Sequence, residues 1–344
     1  VLEITQKARA FEATLDTILP SEAQALRTDL ELSLLYPRTV SLDHLSGRSL
    51  EILAKTQEPQ TELVADWAAQ ATLAWLKVGK VERATQSLTN CTRIMGKLLD
   101  QEKPKSLLSV GDQLGRELLN FPSLLQAVVH CCMGLARVQL GESAEARQLF
   151  MQAHAECLIA GDTSLAALFL GTAACHTEAI SGVGAAWSLL DEHLHAVPGH
   201  ADNAIQPLGN TVADVCRQQG EAAGFALGGY LLEGLAARPY LVSETVLRAL
   251  WIEMVDAGVP HGLLRDLLDE WPHLFDHQAH PSLNDLNRLL HDWLDDLDTP
   301  PAQRETRRLT LDPDLATTLT ALAANLSQST QQKLGLAPPT PGTP

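Results

Sequence analysis

Residues 127–162 read AVVHCCMGLARVQLGESAEARQLFMQAHAECLIAGD, and this stretch decides the fold. Small residues recur where two helices would have to touch: Gly134 and Ala136 in the first half, Ala146 and Ala153 in the second. Phe150 lies one helical turn before Ala153. Between the halves, Leu140-Gly141-Glu142-Ser143 breaks the run, and Ser143 is placed to cap the second helix. Two helices joined by a tight turn bury one side of each against the other. Small residues at the crossing let the axes approach to roughly 8–10 Å. A lone hairpin still leaves an apolar side uncovered, so further hairpins are expected on either side.

Working outward, the same texture continues. Upstream, residues 61–78 and 81–99 read as a hairpin around Gly79. Ala74 and Ala84 keep its small positions, while Thr72 and Leu88 stand where Gly134 and Phe150 stand in the clearer hairpin. Residues 106–119 read as one helix ending at Asn120-Phe121-Pro122. Downstream, 163–180 turns at Ser181-Gly182 into 185–195, 203–219 turns at Gly220 into 221–236, and 242–257 turns at Gly258 into 261–275. The turn glycines 141, 182, 220 and 258 are spaced by 41, 38 and 38 residues, and Leu-Leu-Asp-Glu recurs at 189–192 and 267–270. The 62 residues from Gly79 to Gly141 fit no multiple of that period. The ends read as helical too: 1–19, 23–36 and 41–55 before the array, 282–297 and 312–334 after it, then a proline-rich tail that cannot pack.

Gly134, Leu140-Gly141, Ala146, Phe150 and Ala153 fall at the characteristic positions of a tetratricopeptide repeat, which this stretch closely resembles; Gly171, Ala173 and Ala186 keep the pattern in the next hairpin. The period near 40 exceeds the family's usual ~34. It resembles the longer repeats in large bacterial signalling ATPases of the maltose-operon activator type, as does the Gly161-Asp162 break. The resemblance implies an all-α, right-handed solenoid of helical hairpins with helical N- and C-terminal caps. The expected organisation is a cap at 1–60, the array at 61–280, further helices at 281–334 and a disordered tail at 335–344. It also implies a concave groove lined by the first helix of each hairpin. Carried over position by position, the groove residues are Cys131, Leu135 and Val138, then Leu168, Thr172, Cys175 and His176. Asn210, Asp214 and Arg217 come next, then Arg248 and Ile252. Members that clamp a C-terminal carboxylate use Lys and Asn where Cys131 and Leu135 stand, so no such clamp is expected. The competing reading packs these side chains against a neighbouring helix or the chain's own C-terminal helix.

Composition bounds the function classes. The chain has 344 residues, enough for two or three domains or one long solenoid. Its alanine- and leucine-rich sequence favours helix over sheet. No apolar window of ~18 residues exists, so no membrane span is expected. With 42 acidic against 25 basic residues the net charge is −17, a field that repels nucleic acid, so direct nucleic-acid binding is not expected. Arg304, Arg307 and Arg308 form a basic cluster that reads as a solvated linker. The six cysteines sit singly or as a neighbouring pair in apolar stretches without a CxxC, which reads as free thiols in a reducing, cytoplasmic setting. No charged-then-apolar leader opens the chain.

No P-loop, GxSxG, HExxH or Rossmann glycine pattern appears. His273, His277 and His280, with Asp276, invite a metal reading, but they lie between Pro272 and Pro281, where a solvated loop is expected instead. The tryptophans, spread about one per hairpin, read as packing residues rather than a recognition cage. The chain thus reads as a non-enzymatic scaffold or ligand-sensing module with no cofactor or metal, holding a peptide, a partner helix or a small regulator in its groove. One alternative is the sensor half of a larger bacterial regulator, suggested by the missing initiator methionine. A remoter one is a metal-dependent enzyme built on the histidine cluster.

Overall fold

A computed structural model describes residues 61–275 and 281–298, together with Gly47 and Glu51. The expected N-terminal cap otherwise lies outside the described residues, as do His277, His280, the basic cluster, the helix at 312–334 and the tail. The regular elements among the described residues are all helical. The chain divides into two compact units between Asp162 and Thr163, at the Gly161-Asp162 break.

The first unit contains α1 (Thr61–Lys77), α2 (Val81–Asp100), α3 (Pro104–Leu114), a 3-10 segment (Gly115–Asn120), α4 (Ser123–Gln139) and α5 (Ser143–Ala160). On α2, Ala84, Leu88, Cys91, Met95 and Leu98 recur at intervals of four and three and are all buried, as an amphipathic helix requires. They meet the small residues Ala65, Ala68, Ala69 and Thr72 of α1. The expected α1–α2 hairpin is therefore present, with Thr72 and Leu88 as buried as Gly134 and Phe150 are in α4 and α5. At the α4–α5 crossing a Cβ on Gly134 would lie 3.0 Å from the Phe150 ring, and Ala136, Ala146 and Ala153 are fully buried. His130 and Glu156 pair across the same crossing at 2.9 Å.

Three local expectations are corrected. Ser143 is not a cap: Glu142 holds the non-helical position, its side chain makes no capping bond, and Arg137 draws that carboxylate away at 2.5 Å. The turn geometry sets this, because Gly141 takes a left-handed φ of 76° open to glycine and Glu142 N–H then closes onto the Arg137 carbonyl. Second, the helix expected at 106–119 starts earlier, with Pro104 at its first position, where a missing N–H costs nothing. It stops at Leu114, where Gly115 turns the chain into the 3-10 segment. This extra helix occupies the irregular interval between Gly79 and Gly141; α3 packs on α1, α2 and α4. The third correction falls in the second unit, at Pro207.

The second unit runs α6 (Thr163–Ser181), α7 (Val183–His193), α8 (Ala201–Ile205), α9 (Leu208–Gln219), α10 (Glu221–Ala236), α11 (Glu244–Asp256), α12 (His261–Leu274) and α13 (Pro281–Asp298). The single helix expected at 203–219 is interrupted, because Pro207 has no N–H for the helical ladder. α6 packs on α7, α8 and α9; α11 packs on α8 and α9; and α13 packs on α11 and α12. The second helices pack in turn, α7 on α10 and α10 on α12. This sequential pairwise packing is consistent with a helical repeat. α10 is hemmed in on three sides: a Cβ on Gly224, Gly228 or Gly234 would strike Cys216, Leu267 or Trp187, respectively.

Tryptophans fill the joints. Trp251 on α11 and Trp271 on α12 meet edge-on, with ring centroids 5.5 Å apart. Arg238 lies over the Trp187 ring at 4.7 Å and grips both Asp191 oxygens at 2.8 and 2.7 Å, tying α7 to the loop after α10.

Candidate functional site

The residues carried into the proposed groove fall in both units. On α4, Cys131, Leu135 and Val138 share one side with Leu124 and Val128, at intervals of four and three. Leu124, Leu135 and Val138 keep 42%, 41% and 38% of their surface exposed, while Val128 packs partly against the core, so the stripe is apolar and only partly covered. Burial pushes the Cys131 thiol up to about 12. That keeps it protonated and weakly reactive, the opposite of a tuned nucleophile.

In the second unit, α6 presents Cys175 and His176 toward α9. Burial pushes the Cys175 thiol up to about 12. Burial also holds the His176 imidazole below its ordinary value, against the opposing pull of Asp214. A pH dependence results. Below about pH 6.5, the ordinary histidine value, the unfolded chain binds a proton that folded His176 does not. Stability of this unit therefore falls as pH drops from there toward the lowered folded value. His176→Gln is expected to flatten that slope, read as urea midpoints of the second unit across that range.

Asn210, Asp214 and Arg217 line one side of α9, but they are not idle. Asn210 donates to Glu253 Oε1 at 2.5 Å. Arg217 donates to the Ala257 carbonyl at 2.9 Å and also pairs with Asp214. Asn210 and Arg217 form a polar seam with α11 and its C-terminal end, while Asp214 stays on α9, paired with Arg217. The Arg217 side chain still keeps 59% of its surface exposed.

Arg248 and Ile252 lie elsewhere, on a hollow of about 220 Å³ between α8 and α11. Asp202, Asn203 and Gln206 form its α8 side, and Thr245 and Ala249 join Arg248 and Ile252 on the other. Asn203 Nδ2 donates to Ser164 Oγ at 2.8 Å, and Gln206 Nε2 donates to Glu253 Oε2 at 2.7 Å. Arg248 reaches Glu244 only at 3.9 Å. Sequence pattern alone did not point to the α8 residues or to Glu253. The one available signal was Pro207, which cuts α8 free of α9 and leaves it lodged between α6 and α11.

Among the described residues no group of three or more His, Cys, Asp or Glu is arranged to hold a metal ion, and no helix is long and apolar enough to cross a membrane. His273 lies in the last turns of α12. What fold and site together define is an all-helical protein of packed helix pairs. Comparison with protein-family models, with curated proteins and with solved structures gave no match.

Proposed function

We propose that this chain is a tetratricopeptide-like solenoid that acts by binding, not catalysis, and holds a peptide, a partner helix or a small regulator along its first-helix face. The observation that carries the reading is the side of the second unit where α8 and α9 meet α11. It bears the exposed Arg217 at the end of α11 and, separately, the hollow at Arg248 nearer its start. The buried, protonated thiols support binding over nucleophilic chemistry. Within the first unit, the exposed Leu124, Leu135 and Val138 of α4 offer an apolar contact of the kind an amphipathic partner uses.

The test is recovery of partners from a native lysate on immobilised protein, quantified by mass spectrometry. Arg217→Glu combined with Arg248→Glu is expected to lower recovery of the specific partner about tenfold or more, equivalent to ~1.4 kcal/mol. Arg217 also holds the Ala257 carbonyl and Arg248 is 25% exposed, so Arg217→Gln with Arg248→Gln is run beside the double Glu variant, and recovery is read where the circular dichroism melts show every form folded. Unchanged recovery would remove the reading.

A further inference from the structure

We propose that the hollow between α8 and α11 is a site for a small zwitterion, a free α-amino acid, with its ammonium group toward α8 and its carboxylate toward α11. The inference rests on the ligand-binding reading of this side of the unit and names what the ligand is.

The two walls have opposite hydrogen-bonding character. On the α8 wall, Gln206 donates one of its two amide N–H groups to the Glu253 carboxylate, which fixes the amide orientation and leaves its carbonyl oxygen as an acceptor. Asn203 likewise spends its Nδ2 on Ser164, leaving Oδ1. The Asp202 carboxylate has no partner among the described residues and lies beside them. This wall therefore offers acceptors, one of them charged. The α11 wall offers the Thr245 hydroxyl and the Arg248 guanidinium, which Glu244 engages only loosely. Arginine presents five donors in a fork that matches a carboxylate.

A simple anion would satisfy Arg248 and face Asp202; a simple cation would do the reverse. A ligand carrying both charges satisfies both walls. It also has no net charge for the −17 field of the chain to repel. Size narrows the class further. At about 220 Å³ the hollow is smaller than the ~300–1,000 Å³ typical of drug-sized sites, and a helix does not fit. Ala249 and Ile252 give it an apolar patch suited to a small aliphatic side chain.

The experiment is calorimetric titration of the full chain with each common L-amino acid. For the best binder, the methyl ester and the N-acetyl derivative are titrated next, each of which removes one charge. At least one small aliphatic amino acid is expected to bind with Kd below about 1 mM. Both derivatives should bind at least about tenfold more weakly, since hydrogen bonds to charged groups are the stronger ones. Asp202→Asn and Arg248→Gln should each weaken binding about tenfold with unchanged circular dichroism melts, the isosteric Asn guarding against a folding artefact. No binding up to ten times that concentration overturns the proposal. So does equal binding of the ester or acetyl form, or equal binding by both variants. Partner recovery that still depends on Arg217 and Arg248 while no amino acid binds would overturn the zwitterion site and leave the broader reading standing.

Discussion

Gly171→Ala is expected to destabilise the second unit by about 3 kcal/mol, at the upper end of overpacking costs. The expected sign is unusual. In a helix interior, alanine normally improves on glycine by ~0.5–1 kcal/mol. Here an added Cβ would lie 2.2 Å from the Ala204 carbonyl oxygen and 2.9 Å from its carbon. Both are backbone atoms with no rotamer to escape into, so α6 and α8 must separate. For a unit of this size the loss lowers Tm by roughly 6–12 °C. Gly229→Ala on α10 is the control: nothing lies within 4 Å of its Cβ, and it should be neutral or slightly stabilising. Thermal melts of both variants decide the matter. A Gly171→Ala protein as stable as the parent would mean that α6 and α8 do not approach as described.

Trp251→Ala is expected to cost about 3–5 kcal/mol, the range for emptying a fully buried aromatic site. Trp251 and Trp271 are both completely buried, and their edge-on contact joins α11 to α12. Trp271 leans in turn on Phe275 at 5.3 Å, so the vacated space cannot close by moving one side chain. Trp251→Phe should cost far less. The Trp251 indole N–H has no acceptor among the described residues, so removing it forfeits no hydrogen bond. Urea unfolding followed by tryptophan fluorescence separates the two outcomes. Equal losses for Ala and Phe would show that the indole N–H, not the ring volume, is what the site needs.

Much of the helical order was legible because it rests on local rules. The turn glycines at 79, 141, 182, 220 and 258 all take left-handed φ and mark hairpin turns, the last four where their spacing put them. The small positions Ala136, Ala146 and Ala153 are buried as their spacing required. What failed depended on a second segment or on the exact geometry of a turn. Gly134 faces Phe150 within its own hairpin, and the repeat pattern suggests the same for Gly171. Yet Gly171 faces Ala204, in the hairpin after its own. A glycine announces a close approach without naming the partner. Ser143 failed as a cap because Gly141 and Glu142 set the turn, a choice that propensity alone does not record. The site was legible only in part. Arg248 and Ile252 were found through the pattern, but their opposite wall comes from a five-residue helix that exists because Pro207 severs it from α9.

Glu253 accepts one hydrogen bond from Gln206 and another from Asn210, on either side of Pro207. One carboxylate thus clasps the two stubs of a severed rod. A guest that competed for that clasp would loosen both stubs together, and their relative tilt would change. Ala204, pressed against Gly171, rides on the shorter stub. An encounter only a few atoms wide would in this way be geared to the seating of a whole neighbouring helix.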